Sequence, residues 1–523
     1  MIRRTPNVVL LAALLVAGGC GPPRAIEGLT AASAPTAAAI SESDLQLRAG
    51  ILADDSLRGR ETGKPGAEAA AEYIGAELGR LGFQPGGDGG SYLQHVPLVR
   101  KSTELSIEVS RGGTKFPMGL DEVIPISGLA GLPEASLSSG GGPLLYAGHL
   151  IDPDLPNGEL TAEQVQGAVV LLRIAVPPGV DPTTASPRSA LTALFGPAST
   201  ASAVLLVAEE AEAQLWDYAS EIAHKGELIL SAPEPVEPGA PPFFLVSTAG
   251  AERLLGGPLA TAREPRTGLG SLSFTLTERS DSVDAWNVVG ILQGSDSVRA
   301  DEYVALGGHY DHVGVGAPID GDSIYNGADD NASGTSVLLE VAEEFGTVPV
   351  SQRPARSLLF VWHTAEESGL LGSEYFTNHP SVPRGAITAH VNLDMVGRNS
   401  PDSIFVVGAS RLSAELGRVV ERVNGELPDP FALDYAYDPV GHPEMIYCRS
   451  DHYSYARYGI PIVFLTSGMH EDYHAPSDEV DKLNYGKMRH VSAFVSALVG
   501  EIANRPQRFQ LDKPVPALDA PCR

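Results

Sequence analysis

Strand-like and helix-like patterns alternate along the second half of this chain, predicting an α/β sandwich with a largely parallel sheet. Two observations carry that expectation. Short apolar runs at Val304–Gly307, Ser357–Trp362, Val391–Leu393 and Ile460–Thr466 read as buried strands, and helical spacing follows at Thr335–Ala342, Gly372–Asn378, Ser413–Asn424 and Tyr485–Ile502. Three of the apolar runs also end in a metal-type side chain or run into one, at the edge where open α/β sheets place their sites.

The chain has 523 residues, 43% hydrophobic and 19% charged, which fits a folded soluble protein of about two domains. A formal charge of −29 speaks against nucleic-acid binding, which needs a basic stripe.

Arg3 and Arg4 precede an apolar run from Val8 to Ala17. Ten helical residues reach only about 15 Å, half a bilayer core, so residues 1–19 read as a secretory signal. Gly18-Gly19-Cys20 is similar to the lipobox of bacterial lipoproteins, although Ala17 departs from its usual leucine. That likeness implies a lipidated Cys20 and, with Gly21 rather than aspartate after it, an outer-membrane, periplasmic or cell-surface location. Lipidated Cys20 would be the sole membrane attachment. Residues 20–44, rich in Ala, Pro, Ser and Thr, read as a tether. If Cys20 is acylated, Cys448 and Cys522 remain and could pair.

A first part of the main domain is expected over 45–120, with a helix at Gly66–Leu81 that repeats Ala70, Ile74, Leu78 and Leu81 on one face. Arg58-Gly59-Arg60 before it reads as a loop that packs on something else. Over 121–264 Pro and Gly become frequent and short strands recur at Pro143–Ala147, Ala168–Leu172, Ala203–Val207 and Pro242–Val246. This stretch reads as an inserted β-rich domain, and its His149 and His224 as surface or core residues. The main domain resumes over 265–506, beginning with a strand at Asn287–Leu292, and 507–523 form a tail.

The chemistry concentrates in that second part. His309-Tyr310-Asp311 follows one strand, and Ala328-Asp329-Asp330 precedes a helix whose N-terminus favours negative charge. Glu366-Glu367 follows a second strand, Asp394 ends a third, and Tyr473-His474 comes last. If His309, Asp329, Glu367, Asp394 and His474 converge, three carboxylates would repel by ~4 kcal/mol per close pair at an effective dielectric of about 20. Two divalent cations would offset them, and imidazole with carboxylate suits zinc. Two ions sharing one aspartate would hold a bridging water whose pKa falls to about 7, a nucleophile at neutral pH. Adjacent side chains diverge, so one of Glu366 and Glu367 ligates while the other serves as general base. Asp311 is placed to accept the spare imidazole N–H of His309.

This ordered set resembles the motif series of the zinc exopeptidase family that includes bacterial leucyl aminopeptidases, with glutamate carboxypeptidase II and the transferrin receptor as relatives. The resemblance implies a three-layer α/β sandwich with a mostly parallel mixed sheet, an inserted protease-associated domain, two zinc ions per chain and peptide substrates. It implies that Asp329 bridges the ions, that His309 and Asp394 complete one position, and that Glu367 and His474 complete the other. Glu366 becomes the base acting on a metal-bridging hydroxide, Tyr473 an oxyanion donor, and the Asp329–Asp330 peptide a candidate for the cis form. Ser450-Asp451-His452 also fits the family, with Asp451 behind the ligands and His452 facing substrate. His312, His363 and His470 read as structural or pocket-lining. Carboxypeptidases and dipeptidases share these ligands, but they place a lid domain between the later ones, where this chain has only 80 positions between Asp394 and His474. An insertion before His309 favours the aminopeptidase branch. Single-zinc glutaminyl cyclases and non-catalytic receptors on the same scaffold remain alternatives.

Overall fold

The core strands are buried end to end because both their faces are covered. Tyr303–His309 pairs in parallel with Ser357–His363 on one side and Ile387–Leu393 on the other, and Ile387–Leu393 pairs in parallel with Ile462–Thr466. Antiparallel strands flank them: Ser403–Val407 along Ile462–Thr466, and Val288–Leu292 along Leu358–Trp362. Successive residues of these strands enter opposite cores, as the pleat requires. Val304, Leu306, Leu358, Phe360 and Trp362 pack beneath one layer of helices. Ala305, Leu359 and Val361 pack against the other, where Phe376 and Tyr455 meet them. The molecule is thus a three-layer α/β sandwich with a mostly parallel mixed sheet, as the sequence predicts.

This computed structural model describes residues 36–126, 139–149, 165–174, 200–231, 241–262, 265–516 and 518. The expected signal, Cys20 and most of the tether lie outside the described residues. Among the described residues no helix is long and apolar enough to cross a membrane. Cys448 is disulfide-bonded, and both other cysteines, Cys20 and Cys522, fall outside the described residues.

The first helical layer contains Glu42–Leu52, Pro65–Arg80, Gly334–Thr347 and Tyr485–Asn504. The helix Glu42–Leu52 begins inside the stretch expected to be tether. Ser41 caps it by accepting from the Asp44 N–H at 3.1 Å, and Arg48 is drawn in by Glu340 and Glu343, which no local spacing reveals. The helices at Leu371–Asn378 and Ala414–Glu426 match the apolar periodicity of the sequence.

Two long strands leave this body side by side. Leu93–Arg111 and Ser271–Leu292 pair antiparallel from Leu93↔Val288 to Ser110↔Ser271. At their far end Ser271–Thr275 pairs with Ser139–Pro143, which opens a second sheet. There Ser139–His149, Val169–Arg173, Ala203–Ala208 and Phe243–Ser247 run parallel, at the four positions where apolar runs predict strands. Helices Ala213–Lys225 and Thr248–Leu255 accompany them, so this region is not purely β.

Candidate active site

Five chain segments deliver polar side chains to the C-terminal edge of the parallel strands. His309 is the last residue of its strand, and Asp394 directly follows Leu393. The turn after Ser357–His363 presents Glu366 and Glu367. The loop Gly327–Ser333 and the segment around His474 close the ring. His309 Nε2 lies 3.3 Å from Asp330 Oδ1, 3.3 Å from Asp394 Oδ1 and 3.9 Å from Glu366 Oε2. His474 Nε2 lies 3.2 Å from Asp330 Oδ2 and 3.0 Å from Glu367 Oε2. His312 Nδ1 completes this second group, 2.7 Å from Glu367 Oε1 and 3.8 Å from Asp330 Oδ2.

The shared carboxylate is therefore Asp330, and Asp329, expected in that role, points elsewhere. Its Oδ1 accepts the Gly397 N–H at 2.6 Å, and its Oδ2 lies 3.3 Å from His470 Nε2. The backbone dictates this choice. Asp478 Oδ2 accepts from the N–H groups of Asp329 and Asp330, at 2.9 and 3.1 Å. Asn331 then pins the chain to the Asp394 strand, donating to Leu393 O at 3.0 Å and accepting from Gly334 N–H at 3.0 Å. The cis peptide is Asp330–Asn331, one residue later than expected. Gly327 has φ 57°, and a Cβ there would meet Asp330 O at 2.1 Å and the His312 ring at 2.5 Å, so only glycine fits.

Asp311 also acts differently from the expectation. The spare nitrogen of His309, Nδ1, meets the backbone carbonyl of Asp311 at 3.1 Å, while its distance to the Asp311 carboxylate is 3.8 Å. The carboxylate is engaged by the Glu366 N–H at 3.2 Å and the Thr62 hydroxyl at 3.0 Å, and Thr62 Oγ1 accepts from Ala365 N–H at 3.1 Å. Asp311 thereby clamps the turn that carries both glutamates.

Arg60 is the member that local pattern did not mark as a site residue, although its loop was expected to pack on something. It is buried, and it donates to the carbonyls of Tyr310 at 2.7 Å, Asn326 at 2.7 Å and Gly327 at 3.0 Å. One side chain so ties together the loops that hold His309 and Asp330. Burial lowers its pKa to about 10, against the pull of Asp330 and Asp311, which leaves it charged at neutral pH.

Acidity shapes the electrostatics. Burial opposes charge on His309, yet facing Asp394 and Glu366 hold its imidazolium well above the usual range. His474 is likewise pushed up to about 11, burial being overcome by Glu367 and Asp330. Burial, reinforced by neighbouring Glu367 and Asp394, raises Glu366 well above an ordinary carboxylate. Asp451, fully buried behind the ring, is pushed up to about 7 by burial with Asp394 and Asp311 nearby.

His452, expected to face substrate, is instead buried. It is bonded through Nε2 to Tyr447 O at 2.8 Å and stacked on Phe464 at 4.4 Å. His363 is a core residue that accepts or donates at Tyr455 OH at 3.2 Å. His224 is exposed and bonded to Ser220 O at 2.7 Å. Tyr473 lies flat on His474, ring centres 3.9 Å apart, with its hydroxyl 3.5 Å from Arg449 Nη2. Tyr473 lines a cleft with Met395, Tyr437, Ile446 and Phe464 on one side of the ring. On the other side Leu228 and Ile222 line a second cavity with Glu367 and His474.

The donor set fits zinc. Two groups, His309–Glu366–Asp394 and His312–Asp330–Glu367–His474, each bring ligand atoms within 4.8 Å of one another. Among the described residues the ion pairs of Asp330, Glu366, Glu367 and Asp394 are all with histidines, and no lysine or arginine neutralises them directly. Imidazole and carboxylate in this proportion are what zinc takes.

Residues 287–499 match the sequence model of peptidase family M28. The chain is 26% identical over 230 residues to "Probable leucine aminopeptidase" of Arthroderma otae, a match over 42% of this chain and 58% of that protein. It is 29% identical over 208 residues to "Leupeptin-inactivating enzyme 1" of Streptomyces exfoliatus, over 38% of this chain and 40% of that protein. The chain thus spans about half the length of these curated relatives. In fold it is similar to "BSAP, a zinc aminopeptidase from Bacillus subtilis", with a TM-score of 0.54, 18% identity and coverage of 90% of this chain and 97% of the other. An aminopeptidase from Aneurinibacillus sp. strain AM-1 gives a TM-score of 0.54 at 16% identity, over 91% and 97%.

Proposed function

We propose that this chain, which belongs to peptidase family M28 through residues 287–499, is a two-zinc aminopeptidase that removes N-terminal residues from peptides. The observation that carries the reading is Asp330, whose two carboxylate oxygens face different imidazoles, His309 at 3.3 Å and His474 at 3.2 Å. His309, Asp394 and Asp330 would hold one ion, and His474, Glu367 and Asp330 the other. When bound, such a pair supplies Lewis acidity and acidifies water to a pKa of about 7.

The chain's own residues do the rest. Glu366 reaches the ring from the clamped turn, and its raised pKa suits a base that takes a proton at its carboxylate and returns it to the leaving amine. Tyr473 stays protonated because burial and the surrounding carboxylates raise its pKa, so its hydroxyl can donate to the developing oxyanion. The cleft of Met395, Ile446 and Phe464 offers an apolar seat for the first side chain of the peptide. Segment 121–264, by resemblance a protease-associated domain, would wall the leaving side, where Ile222 and Leu228 approach His474.

Incubation with aminoacyl-anilides and with the same substrates blocked at the amino group, with and without chelator, tests the activity. Cleavage of free-amine substrates alone, abolished by chelation, is the expected result. Equal cleavage of blocked substrates would overturn the exopeptidase reading. We place the protein outside the cytoplasm on a lipidated Cys20, on the strength of the Arg3–Arg4, Val8–Ala17 and Gly18-Gly19-Cys20 pattern. Labelled palmitate should enter the wild type and not Cys20→Ala, and label in neither would sink the anchor.

A further inference from the structure

We infer that His312 is a fourth protein ligand at the His474–Glu367–Asp330 position, which makes the two metal positions unequal. The inference rests on the two-zinc reading and adds to it a residue outside the resemblance.

Four ligand atoms about 2.0–2.2 Å from a tetrahedral zinc lie about 3.3–3.6 Å from one another. His474 Nε2 stands 3.2 Å from Asp330 Oδ2 and 3.0 Å from Glu367 Oε2. His312 Nδ1 stands 3.8 Å from the same Asp330 oxygen and 2.7 Å from Glu367 Oε1. These separations straddle the tetrahedral edge, and all four ligand atoms lie within 4.8 Å of one another, His312 standing close to Glu367 and farther than His474 from Asp330. The two imidazoles meet edge to face, with centres 5.4 Å apart and planes at 76°, an arrangement that lets both nitrogens converge between the rings.

The placement is also enforced. His312 is 1% exposed, and its backbone N–H donates to Arg60 O at 3.2 Å. Arg60 in turn holds the Asn326 and Gly327 carbonyls just before Asp330, and Gly327 lies against the His312 ring. The imidazole is built in register with the shared aspartate. Its Nε2 is buried and has no hydrogen-bond partner among the described residues. One position then has four protein ligands, the closed set of tightly held zinc. The other has His309, Asp394 and the far oxygen of Asp330, leaving room for water or substrate.

The test uses the full chain. Zinc titration of the wild type should show two ions, one held far more tightly. His312→Ala and His312→Gln should each weaken the tight ion by about 100-fold, bringing the two affinities together. Rescue by Gln, which can still donate to Glu367, would overturn ligation in favour of a hydrogen bond that only positions the carboxylate. Unchanged titration in both variants would overturn it too. A measurement on the wild type alone guards against misfolded variants. The di-cobalt protein should show three solvent-exchangeable, hyperfine-shifted imidazole N–H resonances, and two would contradict the inference. Two ions in the wild type with only two such resonances would leave the two-zinc reading intact. No bound zinc or cobalt would defeat both.

Discussion

In the helical layer and at the strand ends this molecule buries two knots of acidic side chains, and it balances them in opposite ways. The first contains Glu77, Glu340 and Glu343, and it is met by arginines. Arg48, fully buried, pairs with Glu340 and Glu343, and Arg80 lies 2.7 Å from Glu77 and 3.2 Å from Glu343. The second contains Asp330, Glu366, Glu367 and Asp394, and among the described residues its ion pairs are all to imidazoles. A knot in which two arginines face three glutamates ties helices together. A knot in which four carboxylates form ion pairs with imidazoles and, among the described residues, with no arginine or lysine calls for charge from outside. Composition alone does not separate the two, since both read as buried Glu and Asp; the partner type does.

The contrast breaks most sharply at Glu366. Replacing it by Gln should lower kcat by about 10³-fold while zinc content stays at the wild-type level, measured by anilide hydrolysis beside elemental analysis. Loss of zinc in step with activity would move Glu366 from base to ligand. The neighbouring aspartates come next. Asp330→Asn should weaken zinc by about 100-fold or more, whereas Asp329→Asn, which keeps an acceptor for Gly397 N–H, should stay within about 10-fold in the same titration.

In the helical knot the readout changes from activity to stability. Arg48→Met strips the permanent charge from between Glu340 and Glu343, and urea unfolding should show a loss of about 3–5 kcal/mol with kcat per folded molecule unchanged. Arg80→Ala should cost only about 0–1 kcal/mol, because its side chain is 36% exposed and solvent already screens it. A large loss of kcat in either arginine variant would erase the distinction between the knots.

The sequence foretold the second knot better than the first. His309, Glu366, Glu367, Asp394 and His474 were legible because each stands at the end of an apolar strand or in a turn after one, so sheet topology alone brings them to one edge. The choice between Asp329 and Asp330 was not legible, because adjacent side chains diverge and only the contacts of Asp478 and Asn331 decide which one faces inward. Arg60 escaped for a related reason. Its role depends on loops 250 residues apart meeting, as Arg60 meets Tyr310, and no periodicity encodes that. For Asp311 the sequence points to the right neighbourhood but not to the partner, since its backbone carbonyl takes the imidazole and its carboxylate holds the Glu366 turn. The helix at Glu42 was obscured by weak amphipathicity, its buried arginine being intelligible only beside Glu340.

Crystals grown with zinc and measured on both sides of the zinc absorption edge test the central claim most directly. Two anomalous peaks about 3.5–4 Å apart, one on each side of the Asp330 carboxylate, are the predicted result. Peaks beside Asp329, or none within the ring of His309, Glu367, Asp394 and His474, would contradict it.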